Sequence, residues 1–469
     1  MLFERNLEEQ IEKDLFYMCQ IDFAHVLMLA EQRILPASTA KSLLTAISRL
    51  IEKRFSPLKS KDPVRGLFLL YENYLIETEG AEIGGMLQTA RSRNDLNATL
   101  IKMRVRQPYA LLVSSALRLE AVLIRRARKY RNVVMPAYTH GQAAVPITYG
   151  HYLAAVAQAL QRDIDDLMDA TREMNVSPLG AGAVAGTTVP IEPARTAELL
   201  GFRSSALNSI DAVASRDFIL RLLSAMAIYG ATLSRIATDL LQWLTSEFRF
   251  LSLPDELVGS SSAMPQKRNP FLLEHVQGRT ASALGAFVNA IGATRNVPFT
   301  NTISVGTESI RPTWNALTDI TDATILLRLV ISQAQPNAER MLQRASDGFT
   351  TATEIAVRMV LEKGVDFRSA HRIVGRAVSE TLSRGLNSFE ELGTSVTELF
   401  GVPLEGMDPE SCVERSKYGG GPAPENLDRI LEILHQKWQR QREAARAQIA
   451  YWKGSQNKLE QLVRNFCTS

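Results

Sequence analysis

The sequence predicts an all-α chain built around a bundle of long helices, and three observations predict it. Residues 208–248 contain no proline, and Leu220, Leu223, Ile228, Leu233, Ile236 and Leu240 recur at helical spacing. A helix of that length, ~60 Å at 1.5 Å per residue if unbroken, has to be buried in a bundle or an oligomer. Pro108, Pro146 and Pro270 each stand where a helix could begin, the position at which a missing N–H costs nothing. Finally, no turn dipeptide lies between apolar runs to signal a hairpin, and no strand–helix alternation signals a parallel sheet.

The first hundred residues divide into helices. Apolar residues in Asp22-Phe-Ala-His-Val-Leu-Met-Leu-Ala fall at helical spacing, and nothing interrupts them before Pro36, so this helix runs to Ile34 or Leu35. Within it His25 reads as a satisfied helix histidine. A second helix covers 37–51, a polar connector 57–63 follows, and 67–76 is apolar enough to be a third. Next, Thr89-Ala-Arg-Ser-Arg-Asn-Asp95 precedes another helical pattern, with Asn94 or Asp95 as its N-cap. Ser92, Arg93 and Asn94 then present donors at a helix start; the plain alternative is a capping turn with solvated arginines.

From 108 to 335 long helices continue, interrupted by three connectors. Tyr138-Thr-His-Gly-Gln142 places His140 between Thr139 and Gln142, in a loop between two helices. Residues 177–188 hold Gly180, Gly182 and Gly186, but no strand precedes them and no Gly-Lys-Ser/Thr follows. A phosphate cradle therefore fails its own context, and close backbone packing is the expected role. In the third connector, 208–218, Arg216 is either a substrate-facing cation or the ion-pair partner of Asp217. Shorter helices follow over 353–363, closed by Gly364, and over 369–384. Three domains are expected: an N-terminal helical domain over 1–107, the long-helix bundle over 108–362 and a C-terminal helical domain over 363–469.

The 53 basic and 50 acidic residues leave a formal charge of +3, too even for a nucleic-acid-binding or membrane-surface field. The Lys/Arg-rich stretch 436–464 reads as the solvated face of an amphipathic helix. The three cysteines, Cys19, Cys412 and Cys467, are far apart and lack metal spacing, which suggests reduced thiols in a cytoplasmic protein. Residues 1–6 carry charges where a signal peptide needs an apolar core, and no apolar run is expected to span a membrane. No His/Cys/Asp cluster has ligand spacing, so neither metal nor cofactor is expected.

The most informative stretch is Gly259-Ser-Ser-Ser-Ala-Met-Pro-Gln-Lys-Arg-Asn-Pro270. It has no periodicity, its glycine and serines suit a loop, and Phe271-Leu272-Leu273 opens a helix behind Pro270. Ser261, Lys267 and Asn269 thus lie just before a helix N-terminus, where an anion is favoured. A hydroxyl, an ammonium and an amide on one loop can grip a carboxylate.

This loop resembles the signature of the fumarase/aspartase/argininosuccinate lyase superfamily, roughly Gly-Ser-Ser-x-Met-Pro-x-Lys-x-Asn-Pro. The glycine falls one place early here, which leaves Ser260, Ser261 and Ser262 as contenders for the catalytic base, with Ser261 in register. Argininosuccinate lyases are also resembled in Ala24-His-Val-Leu-Met-Leu29, Ser92-Arg-Asn-Asp95, Thr139-His-Gly-Gln142, the glycine-rich stretch 177–188, the stretch 208–218 and the run 363–375. The resemblance implies a three-domain fold whose central helices assemble a homotetramer, with each active site shared between subunits. It implies Ser261 as base and His140 with Glu274 on the acid side. Ser92, Arg93, Asn94, Thr139, Gln142, Lys267 and Asn269 would hold substrate, with Arg216 a further candidate.

Departures from the family concentrate on the amine side. Asp22 stands where the family has serine, Gln88 where it has histidine, and Val145 where it has glutamine. In Val297-Pro-Phe-Thr-Asn-Thr-Ile-Ser-Val-Gly-Thr-Glu308, Asn301 replaces the family's tyrosine and Gly306 its glutamine. Asp22 and Asn301 are therefore expected to face a different amine, in a lyase that cleaves an N-substituted aspartate, a small-molecule N-succinyl amine, to fumarate and that amine. Ordinary argininosuccinate lyase and a non-catalytic crystallin-like relative are the rival readings.

Overall fold

The computed structural model describes residues 11–59, 61, 66–400 and 406–468. The charged stretch 1–6 and part of the connector 57–63 lie outside the described residues. Numbering only the elements used below, the first helices are α1 (Leu15–Glu31), α2 (Ala37–Glu52) and α3 (Leu67–Glu79). α1 stops short of Ile34 because Arg33 turns left-handed (φ 59°). The Ile34 N–H then donates to Leu29 O and the Arg33 N–H to Ala30 O, a Schellman closure without the usual glycine.

α4 (Arg93–Lys129) runs 37 residues, with Pro108 inside it rather than at its start. An internal proline costs about 3 kcal/mol, and here packing on both sides of it overrides that cost. Tyr109, Leu112, Leu119 and Leu123 are buried in the bundle core, and Leu96 and Met103 in the N-terminal core. The expected boundary at 107/108 therefore falls within a continuous helix.

The other long helices of the bundle are α5 (Tyr149–Asp169), α6 (Asp217–Leu244), α7 (Phe271–Thr294) and α8 (Thr313–Gln333). Their core includes Leu160, Met226, Leu233, Val276, Ala283, Leu317 and Ile320, and Tyr229 hydrogen-bonds Thr324 within it at 3.1 Å. The expected helix over 208–248 is interrupted at Ser215–Arg216, between the short helix Ser209–Ala214 and α6. Contrary to expectation, α6 is long and apolar enough to cross a bilayer. Half of that apolar stretch is buried inside the bundle, with Phe218, Leu222, Tyr229, Leu233 and Leu240 among the buried residues of the helix.

Between α4 and α5 the chain forms a hairpin that was expected as an interhelical loop. Strands β1 (Val134–Thr139) and β2 (Gln142–Thr148) pair antiparallel, Val134 with Thr148 and Thr139 with Gln142. Pro146 lies in β2, and α5 starts at the Thr148 cap instead.

At the C-terminal side, α9 (Ala352–Lys363) and α10 (Phe367–Ser383) share with the helix Phe389–Phe400 a small core of Ile355, Met359, Val374 and Val396, so the expected boundary at 362/363 divides one packing unit. The last helix, α11 (Pro424–Thr468), is 45 residues long. It buries Leu427, Leu431 and Trp452 in the bundle core, and Leu459 and Val463 in the N-terminal core. The basic stretch 436–464 is thus the outer face of an amphipathic helix.

His25 donates from Nε2 to Thr89 O at 2.9 Å. Burial, aided by the neighbouring Arg91 guanidinium, pushes its pKa down from 6.5 to about 3, so it stays neutral. Below its ordinary pKa the unfolded chain takes a proton that the folded chain refuses, so this stability is complete above pH 6.5 and erodes as pH falls toward about 3. His25→Gln keeps a donor without the titration. It is expected to remove about 1.4 kcal/mol per pH unit from the stability slope in that window, measured by denaturant unfolding at a series of pH values.

Candidate active site

Two groups of candidate residues form, at opposite ends of the bundle. The first is built on the N-terminus of α4. Ser92, in extended conformation, is its cap: the Oγ accepts from Asn94 N at 3.2 Å, and Asp95 Oδ1 accepts from Ser92 N at 3.0 Å. Ser92 therefore takes the capping role expected of Asn94 or Asp95, and the Ser-x-x-Asp spacing was the available signal. The other Asp95 oxygen, Oδ2, accepts from Gly180 N and Gly182 N, each at 3.0 Å. Both glycines have positive φ, 104° and 60°, so their N–H groups converge on one oxygen as a side chain would hardly allow. The glycine-rich connector does cradle an anion, but the anion is Asp95.

Asn94 uses both ends of its amide. Its Nδ2 donates to Ala183 O at 3.1 Å, and its Oδ1 accepts from Asn301 Nδ2 at 2.9 Å. The segment after Asn301 winds through a short π-helix, Ser304–Glu308, a geometry frequent at functional sites. A Cβ on Gly306 would lie 3.1 Å from Asn301 Oδ1. The Arg93 guanidinium is exposed, 5.6 Å from the Phe68 ring centre.

Two expected members of this group lie beneath it. Asp22 is fully buried and ion-paired with Arg91, whose side chain is also fully buried. It braces the strap that enters the Ser92 cap, as His25 does through Thr89, so its carboxylate is not exposed to an amine in this chain. Arg216 is buried as well. It donates from Nη1 to Val213 O (3.0 Å) and Ser215 O (2.8 Å), while Asp217 pairs with Arg221, so the expected Arg216–Asp217 ion pair is not formed.

At the other end stand the hairpin and the serine loop. His140 (φ 52°) and Gly141 (φ 74°) are the two left-handed residues of a two-residue turn, flanked by Thr139 and Gln142, and all four are exposed. Tyr138 anchors the hairpin, its ring centre 5.5 Å from Phe248 and 6.3 Å from Phe250. The serine loop is itself a small hairpin, in which Gly259 pairs with Asn269 and Ser260 with Arg268. Gly259 sits against Phe271, where a Cβ would meet the ring at 3.1 Å.

Ser261 Oγ accepts from Ala263 N at 3.3 Å and Met264 N at 3.1 Å. Neither Ser260 nor Ser262 has such donors among the described residues. Lys267 and Asn269 line a surface cavity of about 1040 Å³ between this loop and the end of α6. Pro270 is the N-cap of α7 rather than its first residue, and Glu274 is exposed in the first turn. No hydrogen bond or ion pair joins His140 to Glu274, or either to Ser261, among the described residues. No group of three or more His, Cys, Asp or Glu there is placed to hold a metal.

Against this geometry the comparisons are direct. The family described as Lyase matches residues 69–285, and that described as Argininosuccinate lyase C-terminal matches 349–414. Argininosuccinate lyase 1 of Shouchella clausii is 33% identical over 450 residues, 93% of this chain and 90% of that protein. Argininosuccinate lyase of Methanocorpusculum labreanum is 39% identical over 427 residues, covering 88% and 85%. Among solved structures, EDDS lyase in complex with formate has a TM-score of 0.90 at 27% identity, covering 98% of this chain and 93% of that one. The class II fumarase of Schistosoma mansoni, at 16% identity and a TM-score of 0.70, shares the fold.

The architecture is thus that of the fumarase/aspartase-type lyases, all-α and of several domains. Within them the chain belongs to the argininosuccinate lyase family, and with that family it is a carbon–nitrogen lyase.

Asp95→Ala is expected to cost about 3 kcal/mol, since it strips three backbone donors of a charged acceptor. Asp95→Asn keeps one acceptor oxygen and should lose less. Denaturant midpoints of the two variants at neutral pH test the order.

Proposed function

We propose that the protein cleaves an N-substituted aspartate by β-elimination, releasing fumarate and an amine, and that the amine is not arginine. The observation that carries this reading is the contrast between the two halves of the candidate site. Ser92, Arg93 and Asn94, with Ser261, Lys267 and Asn269, keep in sequence the residues that the family resemblance assigns to the fumarate half and the base. The amine half has lost two side chains of the family pattern, and the replacement, Asn301, spends its amide on Asn94. An EDDS lyase variant with bound fumarate, 27% identical with a TM-score of 0.89, supports fumarate chemistry on this fold beyond argininosuccinate. The relatives named argininosuccinate lyase, at 30–39% identity, favour the ordinary assignment as second reading.

In the proposed reaction Ser261 takes the proton from the carbon next to the carboxylate. The two N–H groups pointing at its Oγ favour the alkoxide, which is the observation that selects it over its neighbours. Lys267 and Asn269, before the N-terminus of α7, hold the carboxylate as it gains charge. The C–H electron pair becomes the new double bond, the C–N bond breaks, and the leaving nitrogen takes a proton from the side of His140. Glu274 orients that imidazole, and Thr139 and Gln142 line the same turn.

One chain cannot close this site. Ser92 begins α4 and the His140 hairpin follows its end, ~55 Å away along the axis. We therefore infer a homotetramer with shared sites, in which the exposed apolar residues Ile228, Leu284, Val288 and Ile291 on α6 and α7 are covered by other copies. The free thiols of Cys19, Cys412 and Cys467 fit a reducing, cytoplasmic setting.

Incubation with fumarate and a panel of amines, read by mass spectrometry, tests the reaction class; neither adducts nor fumarate release from N-succinyl amines would favour a non-catalytic relative. Ser261→Ala is expected to lower turnover by ~10²–10⁴-fold with the fold intact, and Ser260→Ala and Ser262→Ala by far less. His140→Asn and Glu274→Gln should each reduce turnover and combine less than additively, since one orients the other; fully additive losses would separate their roles. Argininosuccinate itself should be a poor substrate, because its guanidinium finds no paired acceptors at Asn301 and Gly306. Steady-state kinetics giving kcat/KM of ~10⁴ M⁻¹s⁻¹ or more with argininosuccinate would restore the ordinary assignment.

A further inference from the structure

Away from both groups, α1, α4 and α11 enclose a cavity of about 250 Å³, lined among others by Tyr17, Gln20, Met103, Arg106, Trp452 and Lys453. Arg106 is buried. Its guanidinium lies 4.3 Å from the Phe202 ring centre and donates to Leu200 O at 2.7 Å and Gly201 O at 3.2 Å. Its Nε has no partner, and neither has Oε1 of Gln20, a residue only 2% exposed whose Nε2 faces Glu460 at 3.5 Å. A buried donor and a buried acceptor, both on side chains lining one cavity, are unusual, because unmet polar groups are costly. The lining carries two cationic side chains and no acidic one. Beside the uncharged polar Tyr17, Gln107 and Gln456, apolar surface is supplied by Met103, Leu199, Leu459 and the face of Trp452, whose Nε1 is already engaged by Asn175 at 3.1 Å. A cavity of about 150 Å³ accepts benzene, so this one holds a ring-sized body with a polar head.

We propose that this cavity is a second small-molecule site that takes an apolar α-amino or α-hydroxy acid. The ligand's carboxylate meets Arg106 and Lys453, its N–H or O–H donor meets Gln20, and its apolar body rests on Met103 and Trp452. The site is separate from the reaction chemistry, as Arg106 stands thirteen positions into α4, ~20 Å from Ser92 by helical rise.

Calorimetric titration of the intact protein with L-phenylalanine, and with 3-phenylpropanoate as the analogue lacking the amine, tests the proposal. Saturable binding of L-phenylalanine at one site per chain is expected, indifferent to added fumarate. Ala110→Phe, which fills the cavity from α4, should abolish it. Gln20→Met should weaken L-phenylalanine about tenfold, the effect of one lost hydrogen bond, and leave 3-phenylpropanoate unchanged. Variants of Arg106 are avoided because its two carbonyl bonds also support the fold. Absence of saturable binding by both probes, binding that survives Ala110→Phe, or binding displaced by fumarate would each overturn the assignment.

Discussion

The carboxylate of Asp95 is the point on which this end of the molecule depends. It is buried, and burial lifts its pKa above the ordinary value against the pull of three backbone N–H groups. Those three groups belong to two segments far apart in sequence, the start of α4 and the glycine-rich connector. Through one side chain the cap that presents Ser92, Arg93 and Asn94 is fastened to the backbone that presents Ala183 O to Asn94. Just upstream, Asp22 and His25 fix the entering strap by an ion pair to Arg91 and a hydrogen bond to Thr89. A cap held from both sides has little freedom left to lose, as the anion-binding role proposed for it requires.

α4 then acts as a rigid spacer. Its 37 residues place the Ser92 cap at one end of the bundle and the hairpin at the other, and α6 and α7 return the chain between the same two ends. Asn301 follows α7 back to Asn94, whereas Ser261 precedes α7 at the far end. The candidate base and the candidate fumarate-binding cap are thereby separated by the length of the bundle. The proposed reaction therefore requires association, and the exposed Ile228 of α6 with Leu284, Val288 and Ile291 of α7 is the apolar surface proposed for it.

Much of this was legible in the sequence. The helix class, the serine loop ahead of α7 and the helix start near Ser92 follow from periodicity, proline and capping chemistry. What was not legible has physical causes. The α1 terminus turns on Arg33, a left-handed residue no propensity singles out. The hairpin escaped because its turn is His-Gly instead of Asn-Gly, and because Pro136 and Pro146 lie in its strands, where proline argues against pairing. Pro108 survives mid-helix because flanking core residues outweigh it. Asp22 is expected from the sequence to face the amine, but burial depends on which residues pack above it, and only the fold brings Arg91 over that carboxylate. Asp95 drew attention only as a cap, because its second oxygen is claimed by glycines more than eighty residues away.

The same dependence on tertiary contact explains why two departures from the family pattern belong together. Asn301 and Gly306 read in sequence as independent losses, a phenol and an amide removed from the amine side. In space they are neighbours. A Cβ at position 306 would crowd Asn301 Oδ1 at 3.1 Å, on the amide whose Nδ2 donates to Asn94. Glycine at 306 therefore clears room for the carboxamide orientation that donates to Asn94. In the proposed site this links the two halves, because the amide assigned to the amine side also sets the amide assigned to the carboxylate side. Under the proposed function a substitution at Asn301 therefore also alters the positioning of Asn94, because one hydrogen bond joins the two amides.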